Sequence, residues 1–503
     1  MDEKEGVNLL AFDIGASSGR AILGNLKNEK LEIEIIHQFP NEAKKVDDSD
    51  YWDILNIFNE LKKGIKKCAN KKILNLKGIG IDTWGIDFVL LDENNQLIGI
   101  PHTYRDKRTE SSLDKIFLEV SKEEIFDQTG IQFMEINSLN QLFSMLKQES
   151  PQLSITKKVL MIPDYLNYLL CGVFSTEYSI ATTTQLFNPI KKEWAFNLID
   201  KLGFKREWFA KIVPSASILG KLKETISLEM GLSLSPNIIA PLCHDTGSAV
   251  AATPVEMEKY KSGEWAYLSS GTWSLLGVEL NTPIINKKSL KYNFTNEGGI
   301  AGTIRFLKNI TGLWIIQECK KMWDVEGHRF TWEFLIQEAN KAESFSCYFN
   351  VDDPQFLNPP NMIKTIINYC KSTHQSIINS PGQITRAILE NLAFRYKYIL
   401  EKLEELIESK IKILHIIGGG SINYLLNQFT ANSTELPVKT GPSEATAIGN
   451  ILVQALALGF IKNVVELRNI VFNSFKVEHY TPQDKKKWGK AYHEYLEITG
   501  LPL

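Results

Sequence analysis

The residues best suited to hold a phosphate lie near the start of the chain, in the segment LLAFDIGASSGRAIL (residues 9–23). An apolar run ends at Asp13, small residues extend from Gly15 to Gly19, and a second apolar run follows Arg20, which predicts a strand, a tight turn and a strand. Backbone N–H groups in such a turn can face an anion, because glycine adds no side-chain bulk. Asp13 would repel that anion unless a cation lay between them, and Mg²⁺ binds one or two carboxylates and keeps several waters. The segment suggests a magnesium–nucleotide site, although a simple hairpin explains the same pattern.

A second segment of the same kind supports the nucleotide interpretation. AYLSSGTWSLL (residues 266–276) again predicts a strand, a Ser-Ser-Gly turn and a strand, and its residues 269–271 match residues 17–19. Self-similarity across about half the chain predicts a duplicated domain, with each copy offering one phosphate turn to a shared cleft. Thr272 directly follows the second turn, and its hydroxyl is a candidate contact to a transferring phosphate.

Asp245 is the candidate for the chemical step. It follows a predicted strand that ends at Leu242 and precedes small residues from Thr246 that predict a close-packed helix. One interpretation is that Asp245 sits at or near the helix N-cap, where Asp stabilises a helix. The other is a general base, a carboxylate at a strand end that accepts a proton from a hydroxyl nucleophile. Both can hold at once, and the sequence leaves them open.

The composition excludes several classes of protein. A length of 503 residues predicts roughly two to four domains, and the hydrophobic and charged contents of 44% and 23% are typical of a globular chain. A formal net charge of -3 provides no general attraction to nucleic acid or to an anionic membrane, so neither partner is expected. The first residues, MDEKEG, are acidic, and the apolar run after them is too short for a signal peptide or a membrane span, which predicts a cytoplasmic protein.

The cysteines are scattered without a close pair. They are Cys68, Cys171, Cys243, Cys319, Cys347 and Cys370. This spacing predicts reduced thiols rather than a disulfide framework or a zinc site.

Two further strand ends complete the predicted framework. Residues 76–91 (LKGIGIDTWGIDFVLL) predict two strands around a polar loop, and strand ends of an α/β sheet are where ligands bind. Trp84 in that loop could face a sugar or serve as a packed anchor. Residues 411–421 (IKILHIIGGGS) predict a strand that ends in three glycines before a helix from about Asn423, and such a turn lets a flat base approach the backbone.

The remaining segments have predicted positions but open roles. Residues 295–315 predict a glycine-rich loop that leads into a helix, and a helix capped by Ser49 or Asp50 is predicted before the second strand pair. The charged segment 104–108 predicts a solvated loop. Small residues in GPSEATAIGN (441–450) would let a helix slide against a neighbour, and ordinary tight packing explains them equally well.

These motifs together resemble a known family. Two phosphate turns half a chain apart, a strand-end Asp and a triple-glycine turn are similar to the actin, hexokinase and heat-shock chaperone ATPase fold, and CHDTGSA (residues 243–249) resembles the FGGY carbohydrate kinases. DTWGIDF and ATTTQL are the specific motifs, and the matches run in order over residues 9–421. The resemblance implies an α/β protein of two duplicated ribonuclease-H-like (actin-like ATPase) domains with a central interdomain cleft. Residues 1–255 would form the sugar-binding domain with the first phosphate turn, and residues 256–503 the ATP-binding domain.

The resemblance also implies roles for individual residues. Asp245 would be the catalytic base, and Asp13 would hold Mg²⁺ through water. The implied ketose contacts are Gly85, His244, Asp245, Thr246 and Asn309. The implied ATP contacts are Ala16, Ser17, Ser18, Gly19, Arg20, Thr272, Gln317, Gly418 and Gly419, with the choice among the three glycines 418–420 left open.

The activity that the resemblance implies is transfer of the ATP γ-phosphoryl group to the C1 hydroxyl of L-rhamnulose, in L-rhamnose catabolism. Small molecules, the ketose and ATP, would be the partners. One alternative is another sugar kinase of the family, acting on L-fuculose, xylulose or glycerol. A second alternative, a nucleotide-gated switch like the chaperones, is disfavoured because no separate binding domain is expected after residue 480.

Overall fold

The computed structural model describes residues 6–71, 73, 76–357 and 359–502. The chain divides into two compact units. The first unit contains the residues up to Glu256 together with Glu279–Phe306 and Ala445–Phe475, and the second contains Met257–Val278, Leu307–Glu444 and the residues from Lys476. The predicted division after residue 255 stays a prediction. The structure adds that two later segments of the chain are part of the first compact unit.

Strands and helices alternate along the described chain, as an α/β fold requires. The strands are β1 (Val7–Ile14), β2 (Ser18–Lys27), β3 (Lys30–Pro40), β4 (Lys44–Val46), β5 (Ser49–Tyr51), β6 (Leu76–Thr83), β7 (Phe88–Leu91), β8 (Lys158–Met161), β9 (Thr176–Glu177), β10 (Phe187–Asn188), β11 (Glu193–Trp194), β12 (Ile212–Val213), β13 (Ser217–Lys221), β14 (Asn237–Ala240), β15 (Trp265–Ser270), β16 (Trp273–Leu280), β17 (Thr295–Gly298), β18 (Ile304–Thr311), β19 (Ile413–Ile417), β20 (Val438–Thr440) and β21 (Glu478–Tyr480). The α-helices are α1 (Ile54–Asn70), α2 (Ser112–Phe117), α3 (Lys122–Thr129), α4 (Ser138–Lys147), α5 (Pro151–Ile155), α6 (Ile162–Cys171), α7 (Tyr178–Thr183), α8 (Phe196–Lys201), α9 (Glu224–Met230), α10 (Asp245–Ala251), α11 (Lys287–Tyr292), α12 (Trp314–Val325), α13 (Trp332–Lys341), α14 (Met362–Ser372), α15 (Pro381–Ile407), α16 (Tyr424–Thr434), α17 (Ala445–Ala457), α18 (Val464–Ser474) and α19 (Lys485–Thr499).

The main sheet of the first unit has the strand order β13-β14-β6-β1-β2-β3. Strand β1 forms an antiparallel hairpin with β2 and pairs in parallel with β6, which in turn pairs in parallel with β14. Parallel pairing needs a crossover, and α1 provides it between β3 and β6. The carboxyl ends of β1, β6 and β14 therefore meet at one edge of the sheet, where α/β proteins bind ligands.

The sheet of the second unit contains the order β18-β16-β15-β19-β20-β21. Strand β15 is antiparallel to β16 and parallel to β19, and β19 is parallel to β20. The order β18-β16-β15-β19-β20 repeats the order β3-β2-β1-β6-β14 of the first unit. The predicted duplication is confirmed.

The two hairpins correspond in a register different from the predicted one. Strand β1 ends at Ile14 and β2 begins at Ser18, whereas β15 ends at Ser270 and β16 begins at Trp273. The turns are therefore residues 15–17 and 271–272, so the predicted match of residues 17–19 with 269–271 is wrong. The first Ser-Ser-Gly extends into β2, the strand after its turn, whereas the second begins in β15, the strand before its turn. Three small residues do not specify which of the two strands they extend.

Two other predicted elements differ in the structure. Residues 295–311 form β17, a short 3-10 turn and β18, and the helix begins only at Trp314, so the predicted loop and helix are wrong over this range. The β-branched residues of IRFLKNIT favour a strand. A Cβ on Gly312 would stand 2.6 Å from the backbone of Trp273, which explains a glycine between strand and helix. Helix α1 begins after its N-cap Asp53, while residues 49–51 form β5.

One pair of cysteines contradicts the expectation of reduced thiols. Cys347 and Cys370 form a disulfide in the second unit, while Cys68, Cys171, Cys243 and Cys319 are free. The two partners are 23 residues apart in sequence and their Cα atoms lie 6.4 Å apart. Their approach depends on how α14 folds back, which the spacing of the cysteines does not reveal.

None of the helices in the described part of the chain combines the length and apolar composition that a membrane crossing needs.

Candidate active site

Acidic side chains lie at the ends of three adjacent strands of the first unit. Asp13 on β1 is paired in register with Asp82 on β6, and Thr83 forms a parallel bridge with His244, which follows β14. The pKa of the Asp82 carboxyl lies well above its usual range, because the group is fully buried and because Asp13 and Asp245 repel its charge. The sheet topology therefore brings three carboxyl groups of distant sequence into one electrostatic environment.

Asp245 occupies the first position of α10, and His244 is the N-cap. The predicted position of Asp245 at or near the N-cap is confirmed, because Asp245 directly follows the N-cap residue. The backbone N–H and the hydroxyl of Thr246 both donate to Oδ1 of Asp245, at 2.5 and 3.1 Å. No described residue donates to its Oδ2, and the side chain is 29% exposed. One carboxylate oxygen is thus held in place and the other is accessible to a hydroxyl group.

A buried glutamate that the sequence interpretation missed holds the segment before Asp245. Glu177 is fully buried and its carboxylate accepts hydrogen bonds from the backbone of Cys243 at 3.0 Å and from both the backbone and hydroxyl of Ser179. The Ser179 hydroxyl also accepts from the backbone N–H of His244 at 3.2 Å. Burial raises the pKa of Glu177, although these donors oppose the rise. The carboxylate fixes the backbone from which Asp245 projects, and only its position just before a helix signals it in the sequence.

The first phosphate turn keeps two N–H groups available. The Gly15 N–H donates to the Ser18 carbonyl at 2.9 Å, which closes the turn. In the described part of the chain, the N–H groups of Ala16 and Ser17 donate to no protein acceptor, so they can meet an anion. Arg20 lies opposite Asp13 on the hairpin, and its Nη2 donates to Asp13 Oδ2 at 2.8 Å. Phosphate donors and the predicted metal ligand therefore lie on the same hairpin.

The donors at this edge suit a hydrated magnesium ion. Among the described residues, no group of three His, Cys, Asp or Glu side chains is arranged to enclose a metal. Oδ1 of the buried Asp82 has no hydrogen-bond partner in that part of the chain, and Asp13 is 7% exposed. Mg²⁺ keeps most of its waters and needs only one or two carboxylates. These donors therefore suit an ion that is coordinated mainly by water, rather than one that is enclosed by protein ligands.

The two most specific sequence motifs meet at Gly85. A Cβ on Gly85 would stand 3.2 Å from the Thr183 side chain, and the hydroxyl of Thr183 accepts from the backbone N–H of Ile86 at 3.1 Å. Ile86 has a φ of 67°, a left-handed conformation that is strained for a β-branched residue. The backbone carbonyl of Ile86 accepts from the Ser138 hydroxyl. DTWGIDF and ATTTQL thus form one constrained loop beside the strand ends.

Asp87 holds this loop in place through hydrogen bonds that its carboxylate accepts. Its Oδ2 accepts from the indole N–H groups of Trp52 and Trp84, at 2.6 and 2.9 Å, and its Oδ1 accepts from Gln141 at 2.8 Å. Trp84 is 7% exposed, which supports the packed-anchor interpretation. Arg108 donates to Gln141 at 2.6 Å, so the segment predicted to be a solvated loop is instead partly buried. Burial raises the pKa of Asp87 to about 6, although the indole and amide donors oppose the rise.

We expect Asp87→Asn to remove a pH dependence of stability. The folded-state pKa of about 6 is above the ordinary value of 3.8, so the folded protein binds more protons than the unfolded chain between these values. The stability contributed by protonated Asp87 is full below the lower value and is lost as the pH rises through the higher one. At 1.36 kcal/mol per pKa unit the loss is about 3 kcal/mol. The melting temperature of the variant minus that of the wild type should therefore become more positive from pH 5 to pH 7.5.

Asp127→Asn is the matched control, because Asp127 is an exposed carboxylate of the same unit. Its melting curves should follow those of the wild type across this pH range. Parallel curves for Asp87→Asn as well would contradict the assigned titration of Asp87.

In the second unit the structure brings several predicted ATP contacts together. The backbone N–H groups of Leu313 and Trp314 donate to the carbonyls of turn residues 271 and 272, which places the start of α12 beside this turn. The Thr272 hydroxyl can therefore donate to Gln317 Oε1, at 3.2 Å. A Cβ on Gly420 would stand 2.1 Å from the Ser270 hydroxyl. Gly419 is exposed and its Cβ would meet nothing within 4 Å. The triple-glycine turn therefore packs against the end of β15 while one of its glycines stays open.

The predicted site residues are distributed over both units. The first unit contains Asp13, Ala16, Ser17, Ser18, Gly19, Arg20, Gly85, His244, Asp245 and Thr246. The second contains Thr272, Asn309, Gln317, Gly418 and Gly419. Asn309 lies on strand β18 and not on the predicted helix. The sequence placed Asp82 and Asp87 only at strand ends where ligands bind, and it gave no role to Glu177, because all three residues have partners that are distant in sequence.

Two family models cover most of the chain. Residues 8–251 match the N-terminal domain of the FGGY family of carbohydrate kinases, and residues 266–458 match its C-terminal domain. The rhamnulokinase of Bacteroides thetaiotaomicron is 42% identical over 96% of this chain and 98% of its own length. The rhamnulokinase of Oceanobacillus iheyensis is 44% identical over 94% of this chain and 97% of its own length.

Solved structures share the fold at low sequence identity. The ligand-bound xylulose kinase of Lactobacillus acidophilus has a TM-score of 0.81 at 16% identity, covering 98% of this chain and 97% of its own. The glycerol kinase of Plasmodium falciparum with ADP has a TM-score of 0.77 at 16% identity, covering 99% of each chain. The predicted fold class is confirmed as the two-domain α/β kinase fold. With both family models matched and relatives above 40% identity over nearly its full length, the chain belongs to the FGGY family of carbohydrate kinases.

Proposed function

We propose that the protein transfers the γ-phosphoryl group of ATP to the C1 hydroxyl of L-rhamnulose, giving L-rhamnulose 1-phosphate and ADP. The observation that carries the proposal is the position of Asp245, whose Oδ1 is held by Thr246 while no described residue donates to its Oδ2. The choice of sugar is supported by the relatives named rhamnulokinase, which match nearly the whole chain at 40% to 44% identity.

Asp245 Oδ2 is the atom that takes the proton from the C1 hydroxyl. The bond from that hydroxyl oxygen to the γ-phosphorus forms as the bond to the β-phosphate oxygen breaks, and the proton moves to the carboxylate. Phosphoryl transfer has a loose transition state, so the base needs little strength and mainly aligns the hydroxyl. Gly85, His244, Thr246 and Asn309 are proposed to contact the ketose.

In this proposal, backbone N–H groups and polar side chains hold the nucleotide. The N–H groups of Ala16 and Ser17 have no protein acceptor in the described chain and suit phosphate oxygens, together with Ser18, Gly19 and Arg20. Thr272, Gln317 and the turn of Gly418 and Gly419 are further proposed ATP contacts. Asp13 would hold Mg²⁺ through water, and the ion would supply neutralisation of phosphate charge.

A panel of sugars tests the substrate. We expect kcat/KM for L-rhamnulose to exceed those for L-fuculose, xylulose and glycerol by about tenfold or more, because a site built for one set of hydroxyl groups leaves polar atoms unpaired with another. ADP release in a coupled assay measures turnover, and phosphorus NMR of the product identifies the phosphorylated hydroxyl.

Two results would replace the proposal. Higher kcat/KM with another sugar would assign the protein to that substrate. Slow ATP hydrolysis that no sugar accelerates would favour the nucleotide-gated switch.

A further inference from the structure

A buried ion pair borders the candidate active site within the first unit. Arg305 on β18 is fully buried, and Glu297 on β17 is 5% exposed. The Arg305 Nη2 lies 3.2 Å from Glu297 Oε2, and the Arg305 Nε donates to the carbonyl of Gly298 at 2.8 Å. The glutamate thus compensates the buried charge, and the hydrogen bond to Gly298 restricts the orientation of the guanidinium.

The guanidinium also contacts the residue before the candidate base. Its Nη2 lies 3.0 Å from Nδ1 of His244. A guanidinium nitrogen only donates hydrogen bonds, so Nδ1 of His244 accepts here. When one nitrogen of a neutral imidazole accepts, the other carries the proton. A neutral His244 in this contact carries its proton on Nε2.

The opposite ring nitrogen lies on the side of Asp245. Nε2 of His244 lies 3.5 Å from Asp245 Oδ1, which is too long for a firm hydrogen bond. That oxygen already accepts from both donors of Thr246. The Nε2–H group therefore lies near the Asp245 carboxylate and forms no firm hydrogen bond with it.

We propose that Arg305, held by Glu297, is a positioning residue that fixes His244 as its Nε2–H tautomer, so that this N–H donates to an oxygen of the ketose next to the reacting hydroxyl. The ketose contact rests on the proposed function, whereas the tautomer does not. Glu297 Oε2 is 3.3 Å from Nδ1 of His244. Without the guanidinium, this oxygen could accept a hydrogen bond from a protonated Nδ1. The arrangement therefore has a competing tautomer, and Arg305 selects against it.

The tautomer is measured in the free protein with ¹⁵N-labelled histidine, and the His244 signals are assigned by their loss in His244→Gln. We expect a protonated Nε2 and a bare Nδ1 in the wild type. In Arg305→Met the proton should move to Nδ1, with Glu297 as its acceptor. Should Arg305→Met fail to fold, Glu297→Gln with Arg305→Met removes both buried charges and should show a mixture of tautomers. A wild type protonated on Nδ1, or a variant that keeps the Nε2–H tautomer, would overturn the proposal.

Kinetics test the positioning role separately. Arg305→Met should raise KM for the ketose by about tenfold, the effect of one lost hydrogen bond, and leave KM for ATP unchanged. In a His244→Gln background the same substitution should add little, because Arg305 acts through His244. An additive loss would contradict the coupling. If no ketose is phosphorylated at all, the proposed function fails while the tautomer measurement still decides the inference.

Glu279→Gln is the matched control. Glu279 is another buried glutamate of the first unit, and it accepts from Arg468 at 2.7 Å. Glu279→Gln should weaken this ion pair but leave the His244 tautomer and the KM for the ketose unchanged.

Discussion

We expect Asp245→Asn to lower kcat by about 10²–10⁴-fold, the usual contribution of a general base, while the melting temperature stays close to that of the wild type. Asparagine has the same shape, and its Oδ1 can still accept from both donors of Thr246. Its amide group, however, cannot take a proton from a hydroxyl. Steady-state ADP release, thermal melting and nucleotide binding on the same preparation separate chemistry from folding.

Asp53→Asn is the control for this substitution. Asp53 is the N-cap of α1, and its Oδ1 accepts from Asn56 N at 3.1 Å. Asparagine caps a helix about as well as aspartate, so both kcat and the melting temperature should be unchanged. Near-normal turnover in Asp245→Asn would remove Asp245 from the chemical step.

A second large effect is expected from one methyl group at Gly449. This glycine lies on α17, and a Cβ there would stand 1.8 Å from the carbonyl oxygen of Ser248 on α10. A backbone atom cannot turn away as a side chain can, so the two helices would have to separate. We expect Gly449→Ala to destabilise the protein by about 3 kcal/mol or more, the upper end of overpacking effects.

Gly449→Ala should also reduce turnover, because α10 begins with Asp245. The next residue on α17, Asn450, donates to the buried Asp82 at 2.5 Å, so a displaced α17 disturbs a second carboxyl group at the same sheet edge. Thermal melting and kcat measure the two effects. Of the two explanations that the sequence left open for the small residues 441–450, this contact favours tight packing.

Gly489→Ala is the matched glycine control. Gly489 lies within α19, and a Cβ there would meet nothing within 4 Å. Alanine should stabilise that helix by about 0.5–1 kcal/mol, because glycine is the poorer helix former. Equal behaviour of the two variants would mean that α10 and α17 are not packed at the distance described.

Local patterns predicted several elements of the fold correctly. Apolar runs broken by glycine and serine predicted both hairpins. The strand β19, its glycine turn and the helix with N-cap Asn423 also match. The helix predicted across residues 304–311 was wrong because an apolar segment of this length does not distinguish a buried strand from a helix.

By itself the sequence determined the duplicated α/β framework and the strand-end position of Asp245, because both depend on the order of residues within short segments. Only the tertiary structure decided which carboxylates share an edge, which oxygen of Asp245 is held by Thr246, and that Glu177, Arg305 and Gly449 support the same few residues. Glu177 meets Cys243 across 66 positions of the chain, and Arg305 meets His244 across 61. Contacts at such separations leave no periodicity in the sequence, since they arise from sheet order and helix packing rather than from neighbouring residues.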